Sequence, residues 1–142
     1  MNAKELLEQP TVLNEKINID FLHRQKLKEL LEQISSGSVA LHERVQGGQL
    51  PDSPATKLTD KIADLDRLIE QELAEYDIVM EQIKEAIAFC KNQDEMKVLK
   101  KKYLENKEVA DIVLELNIPE STFYTLHNRA IKKVNSFLAE QF

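Results

Sequence analysis

The side chains best suited to a chemical task crowd into the stretch between Lys107 and Lys133. Ser121, Thr122, Thr125 and Asn128 carry hydroxyl and amide groups that can both give and accept hydrogen bonds. Tyr124 adds an aromatic face with a polar tip, Glu120 is the single acid among residues 118–133, and Lys107, Arg129, Lys132 and Lys133 supply fixed positive charge. On a helix Ser121, Thr122, Thr125 and Asn128 would form a polar stripe facing the edges of a ligand, while Lys107, Lys132 and Lys133 would neutralise its phosphates. Such a set suits an extended polyanion with hydrogen-bonding edges. It does not suit bond-making chemistry: no carboxylate pair, nucleophile with its base, or glycine-rich phosphate loop stands at a useful spacing. No enzyme activity, catalytic residue, metal, cofactor or small-molecule substrate is therefore expected. The competing description of every one of these residues is an ordinary solvated helix face.

Holding that stripe requires two short helices packed at a steep angle around a residue tolerant of positive φ, and Asp111–Ala130 fills each position such a helix-turn-helix needs. Ile112 and Leu116 face inward from the first helix, Asn117 takes the left-handed turn, and Ile118 plugs it. Phe123 and Leu126 face inward from the second helix, whose start is set by Pro119. Val113 stands where a smaller residue is usual, which implies a slightly wider crossing. Ahead of the motif, Asn92–Asp94 can start a short helix with Met96, Leu99 and Tyr103 on one face and lysines on the other.

The rest of the 142 residues reads as helix too, because three glycines and four prolines leave few turn formers and the composition is rich in Ala, Glu, Lys, Leu and Ile. Leu13, Ile17, Phe21, Arg24, Leu27, Leu31 and Ile34 mark one amphipathic helix, whose proper start is expected near Thr11 because Pro10 would kink or break it. Residues 35–53 lose all periodicity and are expected to be an exposed connection. Ser53 then Pro54 signals a new helix, with the stripe Leu58, Ile62, Leu65, Ile69, Leu73, Tyr76, Met80, Ile83, Ile87 and Cys90. The expected architecture is all-α: a long antiparallel hairpin over 1–91 and a helix-turn-helix domain over 92–142. The apolar face widens after Tyr76, so either the C-terminal third or a second copy must cover it. Self-association through residues 55–90 is the expectation, giving a homo-oligomer.

Charge divides the chain in the same place. Residues 1–94 hold 11 Lys/Arg against 18 Asp/Glu, and residues 95–142 hold 8 against 7, so the net charge of −6 is carried by the hairpin. Only the last third can approach duplex DNA without strong repulsion. One cysteine, Cys90, excludes an internal disulfide and fits a reducing cytosol. No apolar run is long enough to cross a bilayer and the N-terminus lacks the pattern of a secretory leader, so the expected location is a bacterial cytoplasm with no membrane partner.

Leu99–Val134 resembles the helix-turn-helix in the fourth region of bacterial primary sigma factors. The matching residues are Leu99 and Tyr103, then Asp111–Ile112–Val113 through Leu116–Asn117–Ile118, then Arg129–Ala130–Ile131–Lys132–Lys133–Val134. Pro119 stands where that pattern has Ser or Thr, and Lys101 where it has an apolar residue. The opening Met-Asn-Ala-Lys-Glu, Arg44–Gln46 and Leu126–Val134 resemble small phage or prophage regulators of Gram-positive bacteria similar to the RinA and ArpU activators. That resemblance implies a sequence-specific DNA-binding transcriptional regulator. Double-stranded DNA would be its ligand, two copies presenting two helices to two half-sites. The alternative is a non-catalytic adaptor that binds host RNA polymerase or, like a small terminase subunit, a phage packaging component.

Overall fold

A computed structural model describes residues 1–36 and 53–141. Every regular element among them is helical: α1 (Ala3–Ser36), α2 (Pro54–Cys90), α3 (Gln93–Leu99), α4 (Val109–Leu116) and α5 (Glu120–Gln141), with a π-helical turn over Lys100–Leu104 continuing α3. The fold is all-α, as the composition and periodicity anticipate. None of these helices is long and apolar enough to cross a membrane. Most of the expected connection, including His42 and Arg44–Gln46, lies outside the described residues.

The chain forms two compact units, Met1–Val12 with Asp77–Phe142 and, separately, Leu13–Tyr76. This grouping differs from a cut at 91/92. The first turns of α1 and the last third of α2 belong with α3, α4 and α5, because Ala3, Leu6, Leu7, Val79, Ile83, Ala86 and Ile87 are all buried there. The Ala3 backbone N–H donates to Asn135 Oδ1 at 2.7 Å, and the Phe89 and Phe137 rings sit 5.4 Å apart. Val79, Ala86 and Ile87 on the widening face of α2 are thus covered within this unit, while Ile78 on the same stretch stays 60% exposed.

Two helix starts follow directly from their residues. Asn2 caps α1, its Oδ1 accepting from the Glu5 N–H at 2.9 Å while the Glu5 carboxylate reaches back to the Asn2 N–H, a reciprocal capping box. Helix α1 therefore begins at Ala3 instead of near Thr11, and Pro10 lies inside it. The missing i→i−4 bond is offset by burial of the proline ring and of its neighbours Leu6 and Leu7. Ser53 caps α2 as its sequence suggests, Oγ accepting from the Thr56 N–H at 3.2 Å ahead of Pro54.

In the unit Leu13–Tyr76, α1 and α2 run antiparallel. Arg24 pairs with Asp66, and Asp20 and Lys16, earlier on α1, face Glu72, later on α2. Leu13, Ile17, Leu58 and Ile69 are buried in this seam. Two positions depart from the expected stripes: Phe21 is 55% and Leu73 48% exposed, while Glu72 is only 4% exposed. Neither oxygen of Glu72 has a hydrogen-bond donor. Burial pushes the Glu72 carboxyl above its ordinary range, and the Asp20 carboxylate raises it further.

The folded chain thus holds the Glu72 proton more tightly than the unfolded chain. The resulting penalty is absent below the ordinary carboxylate range, grows as pH rises from there to the elevated folded-state value, and is fully present above it. Glu72→Gln should remove the penalty, since its amide can donate to Asp20. The expected gain at about pH 7.5 is about 1 to 3 kcal/mol, with a smaller gain at about pH 5. Thermal melts of the two proteins at both pH values check this, and an unchanged or lower melting temperature for Glu72→Gln at the higher pH would count against it.

Candidate nucleic-acid interface

Helix α2 stops at Lys91, which takes a left-handed conformation with φ 64°, and Asn92 at once caps α3 through a 3.1 Å bond from the Glu95 N–H to its Oδ1. Val98 and Leu99 are fully buried from α3, with Met96 and Tyr103 partly so. The chain then turns again at Asn106 (φ 55°) and enters α4.

The turn after α4 is built as the sequence anticipates. Asn117 adopts φ 55° and ψ 50°, its N–H bonding to the Leu114 carbonyl at 3.3 Å, and the Ile118 N–H bonds to the Val113 carbonyl at 3.1 Å. This pair of closing bonds is a Schellman motif. Asparagine tolerates the left-handed region better than other residues with a Cβ, because its short amide can bond locally. Below the turn Val98, Ile112 and Phe123 form a fully buried core, with Val109, Val113, Leu116, Ile118 and Leu126 packed around it. Val113 is accommodated at the edge of that core.

Phe123, Ala130 and Val134 are buried on the inner face of α5. Helical geometry sets Ser121, Thr125, Asn128 and Lys132 on the opposite side, and all four are exposed. Glu120, Thr122, Tyr124 and Arg129 flank them and are exposed as well. Thr125 spends its hydroxyl proton on the Ser121 carbonyl at 3.0 Å, leaving its oxygen free to accept. Tyr124 is held edge-on to Phe123, with centroids 5.2 Å apart. Lys97 of α3 lies beside this face. It lines, with Thr122, Asp94, Leu116, Ile118 and Leu126, a cleft of about 210 Å³.

Two of the lysines expected to meet phosphates are engaged inside the protein. Lys107 reaches Glu115 at 2.5 Å and Glu105 at 3.2 Å, and Lys101 shares Glu115 at 2.8 Å. These contacts hold Lys107 above its usual range and Glu115 below its own. Lys133 reaches Glu95 at 2.5 Å and donates to the Cys90 carbonyl at 3.2 Å. Glu95 is 2% exposed, so Lys133 serves as its counter-charge and not as a free surface cation. Arg129 and Lys132 are left as the cations of α5 that face water. The Lys97, Lys100, Lys101 and Lys102 cluster is visible in the sequence, but nothing there says that Lys97 lies next to Thr122.

Sequence reasoning also misses His127. Its ring stacks on Phe123 at 5.7 Å and on Tyr103 at 5.8 Å, and its Nε2 is 2.7 Å from the Tyr103 hydroxyl. Burial, with Lys102 nearby, lowers the imidazole pKa, while a hydrogen bond with Asn128 opposes the shift. Burial and the charge of Glu8 push the Tyr103 phenol up to about 12. A protonated phenol beside a neutral ring gives an uncharged tie between the π-helical turn and α5, which fixes the outer face of α5 from behind. No Cys/His/Asp/Glu group among the described residues is arranged to hold a metal ion.

No curated protein and no solved structure matches the chain. A family model does match, over residues 33–135, which take in all of α2, α3 and α4 together with α5 as far as Asn135. The chain belongs to the family described as Protein of unknown function (DUF1492).

Proposed function

We propose that this chain is a sequence-specific DNA-binding regulator of the phage or prophage type, acting in a bacterial cytoplasm as a dimer or higher oligomer, with α4 and α5 as its helix-turn-helix. One observation carries the reading. The outer face of α5 presents Ser121, Thr125, Asn128 and Lys132 together and unburied, on a helix that its core and the Tyr103–His127 tie hold rigid. Hydroxyl and amide groups on such a face can meet base edges in the major groove, while Arg129 and Lys132 meet phosphates. Tyr124 is available to a phosphate or a thymine methyl. Glu120, at the start of the helix, repels phosphate and disfavours indiscriminate binding.

With Lys107 and Lys133 engaged internally, few phosphates are neutralised per chain, so affinity depends on pairing two copies. Fluorescence anisotropy with duplex fragments of the source genome tests this across a salt series. Replacing Arg129 and Lys132 by alanine should weaken binding to all sequences and flatten the slope of log affinity against log salt by roughly 0.9 for each phosphate no longer neutralised. Asn128→Ala should lose about 1 to 3 kcal/mol on the preferred site alone. Absence of binding at low salt by a folded protein overturns the reading. The adaptor reading would then stand, in which α4 meets host RNA polymerase or a packaging component. Leu114, 78% exposed on α4, favours it.

A further inference from the structure

Helix α1 has a second apolar stripe that its pairing with α2 leaves uncovered. Ile19 is 65% and Leu22 63% exposed, in a unit whose seam is already filled by Leu13 and Ile17 of the same helix. Glu15 and Lys26 lie one step beyond them on either side, at spacings of four, three and four residues. At 3.6 residues per turn these four positions fall within an arc of about 60°, on the side of α1 away from the seam. Leu30, 41% exposed, continues the same stripe. Glu15 and Lys26 are exposed, and neither takes part in an ion pair among the described residues.

The order acid, apolar, apolar, base is self-complementary. The pairs Glu15/Lys26 and Ile19/Leu22 share one midpoint, between Asp20 and Phe21. We propose that this outer face of α1 is where two copies of the chain associate, antiparallel about a two-fold axis at that midpoint. Ile19 then packs on Leu22 of the other copy, and Glu15 meets Lys26 of the other copy. Heptad geometry supports the register, because facing stripes of antiparallel helices pair an a position with a d position. Charge fixes the direction. A parallel pair would set Glu15 on Glu15 and Lys26 on Lys26, two repulsive contacts, whereas the antiparallel pair makes two attractive ones. An isologous contact of this kind closes at two copies and does not propagate. The inference names the partner and surface that the dimeric DNA reading needs. It is tested without DNA, so that either can fail alone.

Sedimentation equilibrium of the full chain over a concentration series is the measurement. The unmodified protein should dimerise reversibly. Glu15→Lys alone and Lys26→Glu alone each replace both attractive contacts by repulsive ones, and each should raise the dimer dissociation constant by about tenfold or more. Combining both substitutions in one chain should restore dimerisation to within a few-fold of the original. Mixing the two single variants should also restore it, because one is then positive at both positions and the other negative at both. All four positions are exposed, so helicity by circular dichroism should stay constant throughout. A protein that is monomeric at every concentration overturns the proposal, as do single variants that dimerise normally or a double variant that does not recover.

Discussion

Phe123→Ala is expected to unfold the unit that contains α3, α4 and α5. Phe123 is fully buried, closes the core with Val98 and Ile112, and stacks on His127. Truncating a phenylalanine in such a site typically costs about 3 to 5 kcal/mol, from lost transfer energy and from the cavity left behind. Three fully buried residues form this core, and the neighbours that would have to collapse into the gap are pinned by the turn at Asn117. Phe123→Leu should keep most of the stability. Tyr124 would lose its edge-on support as well, so any DNA binding that survives in a partly folded Phe123→Ala protein should be weakened beyond the stability loss. Thermal denaturation followed by circular dichroism decides the matter: a variant melting like the parent would mean that Phe123 is not in the core.

Lys133→Ala is the second large effect expected, and it falls on stability before it falls on DNA. Removing the ammonium leaves the Glu95 carboxylate, 2% exposed, without its counter-charge, and also frees the Cys90 carbonyl. Breaking a buried pair costs about 3 to 5 kcal/mol, and the Lys133 side chain is 40% exposed, so water lowers the expected cost to about 2 to 3 kcal/mol. The double variant Glu95→Gln with Lys133→Met should recover most of that loss, because neither side then buries a charge. Urea melts of the parent and the two variants distinguish this from a surface role, for which Lys133→Ala would be close to neutral and the double variant would show no recovery.

The turn chemistry is the most legible part of the chain. Ser53–Pro54, Asn92 and Asn117 each act within a few residues of themselves, and each does in the fold what its type suggests. The inward positions Ile112, Phe123 and Leu126 are equally readable, since helical period and turn position fix them together. Periodicity is weaker where two neighbours compete for one seam. Phe21 and Leu73 look apolar enough to be buried, yet Asp20 and Glu72 face each other across the hairpin instead. Adjacent residues are only 100° apart on a helix, so the geometry of the partner helix chooses between them. Pro10 misleads because its cost is local while its compensation, burial in the unit completed by residues 77 onward, is distant in sequence.

The stripe on α5 is visible as a pattern of types, whereas the engagement of two of its lysine neighbours is not. Lys133 finds Glu95 38 positions away, and Lys107 finds Glu115 eight positions on, near the far end of α4. Charge counts treat all lysines alike and carry no record of such pairings. His127 is hidden for a similar reason. Its role depends on Tyr103, 24 positions earlier, and nothing in the type or spacing of either residue announces the contact.

The cysteine gives the molecule an internal clock. Cys90 is the chain's one thiol, 3% exposed, with its sulfur directed at the Ala86 and Ala130 carbonyls at 3.7 and 3.9 Å. Burial raises the thiol pKa and Glu95 adds to the shift, so reactive thiolate is scarce while the surrounding helices stay closed. A thiol reagent in solution therefore waits for Ala86 and Ala130 to separate. The pace of labelling counts openings of the unit that carries α5 and is silent about the unit Leu13–Tyr76, which holds no sulfhydryl.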